Sequence, residues 1–393
     1  MKKVKMIYKW ILISVVLQTA FLSWLNYVYL PNRGHFKSTM YEAEFLAVKN
    51  RSYRLPAGSD DISVSYDGLY AAYMMDGQIV IADIDGGREI KRLRPAGGKI
   101  TYHRWLPDRE MLIYAIKEPE GKSGRVRIST YDVIPDLDRS YPDIKGLPEG
   151  SAVIDIELSP MTNIVYPKIQ TSNTRARIYR FDIMDNLSLI FKTDLTTVIK
   201  ETLYTDNLVY QVAGERTRVR NGKNGKTSYV PVKQAHLLLD IDGRDFIYAG
   251  ITDKSGNVSE IRYGKAGAEA ADWNSISLSD PASADDIMIT ADGSVYVVDR
   301  QARTVECVKD GSGHKSQTGG SSGQNDASSG QDGVPTGQNG NASGQNAASS
   351  GRRGVASAPG RKLIRYEGRL VTMLDQYIVY LDGEDLVLRT LKK

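Results

Sequence analysis

Four histidines and one cysteine are all that this 393-residue chain offers for soft metal or thiol chemistry: His35, His103, His236, His314 and Cys307. A single cysteine allows no intramolecular disulfide, no redox pair and no cysteine-based zinc cluster. Gly319-Gly-Ser-Ser-Gly323 matches the Gly-x-Ser-x-Gly nucleophile pattern, but it stands in a Gly/Ser/Gln/Asn-rich tract and not between a strand and a helix, so nothing would hold Ser321 in a strained elbow. Gly225-Lys226-Thr227 has the ending of a phosphate-binding loop, yet Arg220 occupies the place of its first glycine. Asp83-Ile-Asp-Gly86 and Asp240-Ile-Asp-Gly-Arg-Asp245 carry fragments of calcium loops without the third ligand before glycine and the closing glutamate, and so read as hairpin turns. His103 and His236 fall at or before strands, where a lone histidine is more often packed than catalytic. No residue is singled out as catalytic, cofactor-binding or metal-ligating.

One charged run has strand spacing. In Arg216-Thr-Arg-Val-Arg-Asn-Gly-Lys223, residues Arg216, Arg218 and Arg220 share one face of a hairpin, with Lys223 at its turn. A solvated face is the plain reading; contact with an anionic polymer, lipid or partner is the sharper one.

The elements that would position any site repeat along the chain. Ile62 to Gly86 holds three alternating apolar strands punctuated by Asp67-Gly68, Asp76-Gly77 and Asp85-Gly86, and Asp-Gly suits tight hairpins because both residues tolerate positive φ. Similar openings follow near Trp105, Ile154, Thr202, His236, Asp286 and Leu370. Units recurring every forty to fifty residues or so bury their faces on one another and close into a ring. The pattern predicts an all-β fold, a single β-propeller of seven blades, with six or eight as alternative counts. A plain β-sandwich would explain the alternation but not the period.

The last blade ends after three strands, and Glu42–Val48 is a strand-like segment without another partner. Their pairing would remove a free edge, so a clasp between the chain ends is expected. Residues 310–361 turn to Gly, Ser, Gln, Asn and Ala, with Ser-Gly-Gln-Asn at 322–325 and 343–346. Such a tract lacks the apolar surface to order itself, and Lys362–Tyr366 beyond it reads as the outer strand of blade six. The predicted propeller thus occupies 41–393 with this insertion inside a blade.

Trp10 to Leu30 is a run of 21 residues without a charge, which as a helix rises roughly 31 Å and matches a bilayer's hydrocarbon core. Lys2, Lys3, Lys5 and Lys9 precede it, against Arg33 and Lys37 just after, so the positive-inside rule places residues 1–9 in the cytoplasm. Trp10 sits at one boundary and Trp24, Tyr27 and Tyr29 near the other. The reading is an uncleaved signal anchor at 10–30, a juxtamembrane linker at 31–40, and a propeller outside the cell membrane. A cleaved peptide would have a shorter apolar core and a small-x-small site. Removing the four lysines from 51 basic residues leaves 47 against 47 acidic ones, and this neutral remainder argues against nucleic acid as a partner.

Ser65-Tyr-Asp-Gly68, Ala72-Tyr73, Gly77 to Gly86 and Leu158-Ser-Pro160 resemble the blades of TolB-like propellers; Ala291 to Asp299 is similar to an NHL-type blade. WD-repeat endings are absent. What the resemblance implies is architecture and a rigid binding platform. The expected function is a bacterial envelope propeller, membrane-anchored and non-catalytic, that binds another envelope protein or a cell-surface polymer and needs no cofactor. The alternative is a propeller enzyme, a lactonase, lyase or glycosidase, whose carboxylates come from different blades and leave no local spacing. A membrane-relayed ligand sensor is a third reading, for which nine cytoplasmic residues leave little room.

Overall fold

The computed structural model of the chain describes residues 2–25, 48–95, 97–120, 123–311 and 362–391. It divides into two units, Met1–Val48 and Lys49–Lys393. In the first, Lys2–Trp24 is an α-helix on which Trp10 and Trp24 are exposed. Among the described residues no helix is long and apolar enough to cross a membrane. The uncharged run extends past this helix, and its last residues, Tyr27 and Tyr29 among them, lie outside the described residues, as does all of 31–40.

The second unit is a ring of seven sheets. Their inner strands are Asp60–Val64, Lys99–Trp105, Ala152–Ser159, Val198–Glu201, His236–Ile241, Ile287–Ile289 and Arg369–Met373. Each begins an antiparallel sheet of four strands, in sequence order in blades one to six, and in blade two the outer strand is broken into Leu137–Ser140 and Ile144–Pro148. Every inner strand touches the next one round, and that of blade seven touches that of blade one. The seven blades predicted from the sequence are the seven blades of the structure.

Period-two alternation explains the ring. In the second strand of blade one, Ala71 and Tyr73 pack into an apolar cluster with Tyr377 and Val379 of blade seven. Ala72, between them, faces Trp105 and Leu112 of blade two. The third strand does the same, Val80 and Ala82 to one side, Ile79 and Ile81 to the other. Both faces of a blade are covered, so its central strands are apolar throughout while still alternating between two cores. Among the described residues seven such clusters occur, one at each blade junction.

The clasp exists, but Glu42–Val48 does not make it. The fourth strand of blade seven is Arg51–Arg54, antiparallel to Asp385–Thr390; residues 42–47 lie outside the described residues. The buried side chains decide the register: Tyr53 and Leu55 enter the core between blades seven and one. Arg51, almost fully buried, donates to the Tyr377 hydroxyl and pairs with Asp85 at 3.1 Å. Glu42–Val48 offers no cation to meet Asp85.

Antiparallel order gives the ring two distinct rims. Turns joining strands one to two and three to four share the upper rim; turns joining two to three, and the crossings between blades, lie on the lower one. Asp76 and Gly77, with φ of 52° and 73°, form the tight lower turn of blade one that the Asp-Gly dipeptide predicts. Upper turns interlock across blades. The Leu203 N–H donates to Asp245 Oδ1, the Gly243 N–H to the Ala291 carbonyl, and the Asp292 N–H to Asp375 Oδ1. Strand Lys362–Arg365 pairs with Thr304–Lys309, so 310–361 departs from the upper rim of blade six; 312–361 lie outside the described residues.

Candidate functional site: the central channel

Inner strands leave one edge unpaired, and it faces the ring axis. On five of them the pairing register slips by a residue near the lower end, in blades one, two, three, five and seven. Such bulges bend a strand and re-aim its side chains, and Tyr102, Asp155 and Asp240 each follow one immediately.

The result is an arc of charge across four consecutive blades. Arg104 Nη1 of blade two lies 3.0 Å from Glu157 Oε1 of blade three. Lys200 Nζ of blade four lies 3.2 Å from that same oxygen and 3.2 Å from Asp240 Oδ1 of blade five. Below Glu157, the Tyr102 hydroxyl donates to Asp155 Oδ1 at 3.4 Å. Burial would push Glu157 up, but Arg104 and Lys200 outweigh it and hold the carboxyl below its ordinary range. Asp155 has no such partner in contact; burial, and then the Glu157 charge, push it up to about 6. The inner strands of blades one and seven also bring Asp60, Asp61 and Arg369 together around a further cavity. Ile62, Tyr66, Ile289, Val371 and Leu374 line a cavity of about 420 Å³ at the upper mouth, with Arg104 on its charged side. A larger groove, about 660 Å³, lies outside the channel between blades five and six.

One carboxyl near the arc is isolated. Glu201, at the upper end of the inner strand of blade four, is 8% exposed, and neither of its oxygens has a hydrogen-bond partner. Burial first, then the charges of Asp206, Glu157 and Asp245, raise it well above 4.5, with Arg180 opposing. The folded state therefore binds a proton that the unfolded chain releases above about pH 4.5. Glu201 supports folding below that pH and opposes it as pH rises towards the folded value, by about 1.4 kcal/mol for each unit crossed. Glu201→Gln is expected to abolish this slope, making the variant more stable than the parent at pH 7 and nearly equal to it at pH 4. Urea unfolding at both values measures it, and parallel pH dependence of the two proteins would contradict the assignment.

The sequence-derived basic run is divided by the fold. Arg216 and Arg218 flank Tyr229, 4.8 and 5.7 Å from its ring centroid, and Arg218 also faces Tyr210 and pairs with Glu215. Arg220 turns onto the Gly225 carbonyl of its own hairpin, at 2.8 Å, and Lys223 sits exposed at that upper turn. Two of the four thus form one cation-aromatic ladder on the outer edge of blade four, towards the lower rim. Of the histidines, His103 and His236 are described and His35 and His314 lie outside the described residues. The Thr217 N–H donates to His236 Nε2, which leaves the ring proton on Nδ1 to be donated to the Gln234 carbonyl at 2.7 Å. His103 is buried 3.2 Å from Asp61. Asp242 Oδ1 accepts the N–H groups of Arg244 and Phe246, so the calcium-like fragment is a self-capped turn. Among the described residues no cluster of three or more His, Cys, Asp or Glu is placed to hold a metal ion.

Fold and channel together define a seven-bladed β-propeller with a self-neutralised charged arc. No protein-family model matches the chain, and no curated protein matches it either. Among solved structures it is similar to Kluyveromyces lactis Hsv2, at 14% identity over 66% of this chain and 78% of that one, TM-score 0.43. It is also similar to Porphyromonas gingivalis dipeptidyl peptidase 4, at 10% identity over 60% and 43%, TM-score 0.39. The dihydro-heme d1 dehydrogenase NirN follows at 12% identity over 65% and 54%, TM-score 0.38. At such identities the likeness concerns the fold alone.

Proposed function

We propose that the chain is a membrane-anchored, extracytoplasmic propeller, related to TolB-like and NHL-type repeats, that serves the bacterial envelope as a non-catalytic binding platform. The observation that carries the reading is the self-neutralised channel: Glu157 and Asp240 are committed to Arg104 and Lys200. Ion pairs between blades use these two for cohesion; a hydrolase or lyase needs a carboxyl free to take or give a proton at a substrate, and Asp155, pushed up to about 6 beside the Tyr102 hydroxyl, is the channel group on which the enzyme alternative rests. The anchor rests on the uncharged run from Trp10 to Leu30 and on the exposed apolar side chains of the helix, Leu12, Leu17, Phe21 and Leu22 among them, with the N-terminal lysines setting the cytoplasmic side.

The surface offered to a partner is the ladder of Arg216, Tyr229 and Arg218. An exposed tyrosine between two guanidinium groups presents a flat apolar face flanked by forked donors, suited to an acidic protein surface or an anionic cell-wall polymer. The test is crosslinking in intact cells, followed by capture of the detergent-extracted full chain. The expected result is an envelope protein or wall polymer recovered with the parent and lost with the Arg216→Ala/Arg218→Ala/Tyr229→Ala variant. Recovery of the same material with both would remove the ladder from the reading. Recovery of the chain alone, with turnover in a screen of lactones and glycosides, would favour the enzyme.

A further inference from the structure

We propose that the upper rim of blades two and three docks a basic segment of a partner protein, which sets an apolar side chain into the cleft between these blades and its lysines or arginines against the surrounding carboxylates. The inference deepens the binding-platform reading above, adding a second surface to the ladder, and rests on it. Ile134 and Leu137 of blade two, and Met161, Ile183 and Met184 of blade three, lie in or beside the upper turns and are 57 to 76% exposed. They are five of the eight large apolar side chains that are more than half exposed among the described residues of the propeller, and gathering them on two neighbouring blades marks an interaction face. A cleft of about 290 Å³ opens among them. Leu106, Ile113 and Val165 line it from the core that joins the two blades; Leu137 and Pro160, the neighbour of Met161, line it nearer the surface.

Charge selects the occupant. Three cations stand among these turns, and each is already taken: Arg109 by Asp108 at 2.7 Å, Arg139 by Asp185 at 2.8 Å, and Lys91, reaching in from blade one, by Asp136 at 2.6 Å. Arg180, below the outer turn of blade three, is held by Asp206. Four further carboxylates have no cation in contact. Glu110 accepts from the Tyr66 hydroxyl and Asp138 from the Tyr114 hydroxyl, Asp132 from the Ile134 N–H, and Asp182 from the N–H groups of Met184 and Asn186 and the Asn186 amide. Seven carboxylates thus face three cations, and the apolar tips stand in an acidic field. Lys223 and Lys226, on the outer turn of blade four, bound this stretch on one side. Such a face repels an anionic polymer or lipid headgroup, and a neutral lipid surface gives the excess carboxylates nothing to pair with. A basic segment answers both features, its charges steering it to the rim and its apolar side chain filling the cleft. Exposed ion pairs each contribute little, so the cleft supplies most of the affinity and the carboxylates choose the partner.

The experiment selects binders to the detergent-extracted full chain from a random-peptide phage library, then measures the enriched peptides by fluorescence anisotropy at low and high salt against the parent and three variants. Leu137→Ser/Met161→Ser changes the exposed side of the cleft, Glu110→Gln/Asp132→Asn/Asp182→Asn neutralises three carboxylates, and Arg216→Ala/Arg218→Ala/Tyr229→Ala removes the ladder. None of these side chains is buried, and an unchanged circular dichroism melt verifies each fold before binding is read. The expected result is enrichment of peptides with lysine or arginine around an aromatic or aliphatic residue. The cleft variant should bind them about tenfold more weakly, the charge variant more weakly and with a shallower salt dependence, and the ladder variant as the parent does. Basic peptides held equally by the parent and the cleft variant overturn the inference, as does enrichment of acidic peptides alone; if the ladder variant loses those acidic peptides, the platform reading stands. Self-association of the parent in light scattering, abolished in the cleft variant, overturns it in favour of a second copy on the cleft. Absence of any enriched peptide overturns it and counts against the platform as well.

Discussion

Glu157→Ala is expected to destabilise the propeller by about 3 kcal/mol, the lower end of the range for breaking a buried ion pair from one side. Glu157 is almost fully buried and joins three blades through one oxygen, with Arg104 at 3.0 Å and Lys200 at 3.2 Å. Its removal leaves two cations side by side on the channel wall without the carboxylate between them. Lys200 keeps a second partner in Asp240, and the Arg104 side chain is 40% exposed, so water recovers part of the loss and the upper end of the range is not reached. Asp155 gives an independent reading. Because the Glu157 charge contributes to its elevation, the same substitution is expected to lower the Asp155 pKa from about 6. Denaturant unfolding should show a lower midpoint at unchanged slope. Replacing Arg104, Glu157, Lys200 and Asp240 together by apolar residues of similar size should restore much of the stability, since an arc that serves cohesion does not need to be ionic. A quadruple variant as unstable as Glu157→Ala would show that the arc does more than hold blades together.

The blade count was legible because two signals coincide in the chain: alternation within a strand, and Asp-Gly turns at a fixed period. Both survive in the fold, in Ala71-Ala72-Tyr73 facing two cores by turns and in Asp76-Gly77 with its paired positive φ. The arc was not legible. Arg104, Glu157, Lys200 and Asp240 stand about forty to fifty residues apart, and each looks like an ordinary polar position of a half-exposed strand until the ring sets four first strands side by side. A signal was present in hindsight: charge of alternating sign at the same place in successive openings, with arginine, glutamate, lysine and aspartate in blades two to five. Bulges added a second obstacle, because a slipped register changes which residue of an alternating strand points inward. Within the basic run, periodicity places Arg216, Arg218 and Arg220 on one face, but it does not record that Arg220 bonds the Gly225 carbonyl of its own turn.

The second large effect lies in the clasp, where the sequence placed the closing strand a few residues too early. A chain beginning at Lys49 is expected to keep the thermal midpoint of the full chain's propeller, since the strand that closes the ring is Arg51–Arg54. Tyr53→Ala in either background should cost about 3–5 kcal/mol, as aromatic truncations in cores do, because its ring packs 6.5 Å from that of Tyr73 in the cluster joining blades seven and one. Starting the chain at Pro56 should do more. It removes Tyr53, Leu55 and the Arg51 guanidinium that bridges Tyr377 and Asp85, and it bares the edge of Asp385–Thr390, a strand with ready donors and acceptors for another chain. The measurements are the thermal midpoint by circular dichroism and the mass by light scattering, with a cooperative monomeric melt expected from the Lys49 start and association from the Pro56 start. If instead the Lys49 start is as defective as the Pro56 start, residues before Arg51 contribute to closure, and the clasp is longer than the four-residue register between Arg51–Arg54 and Asp385–Leu388.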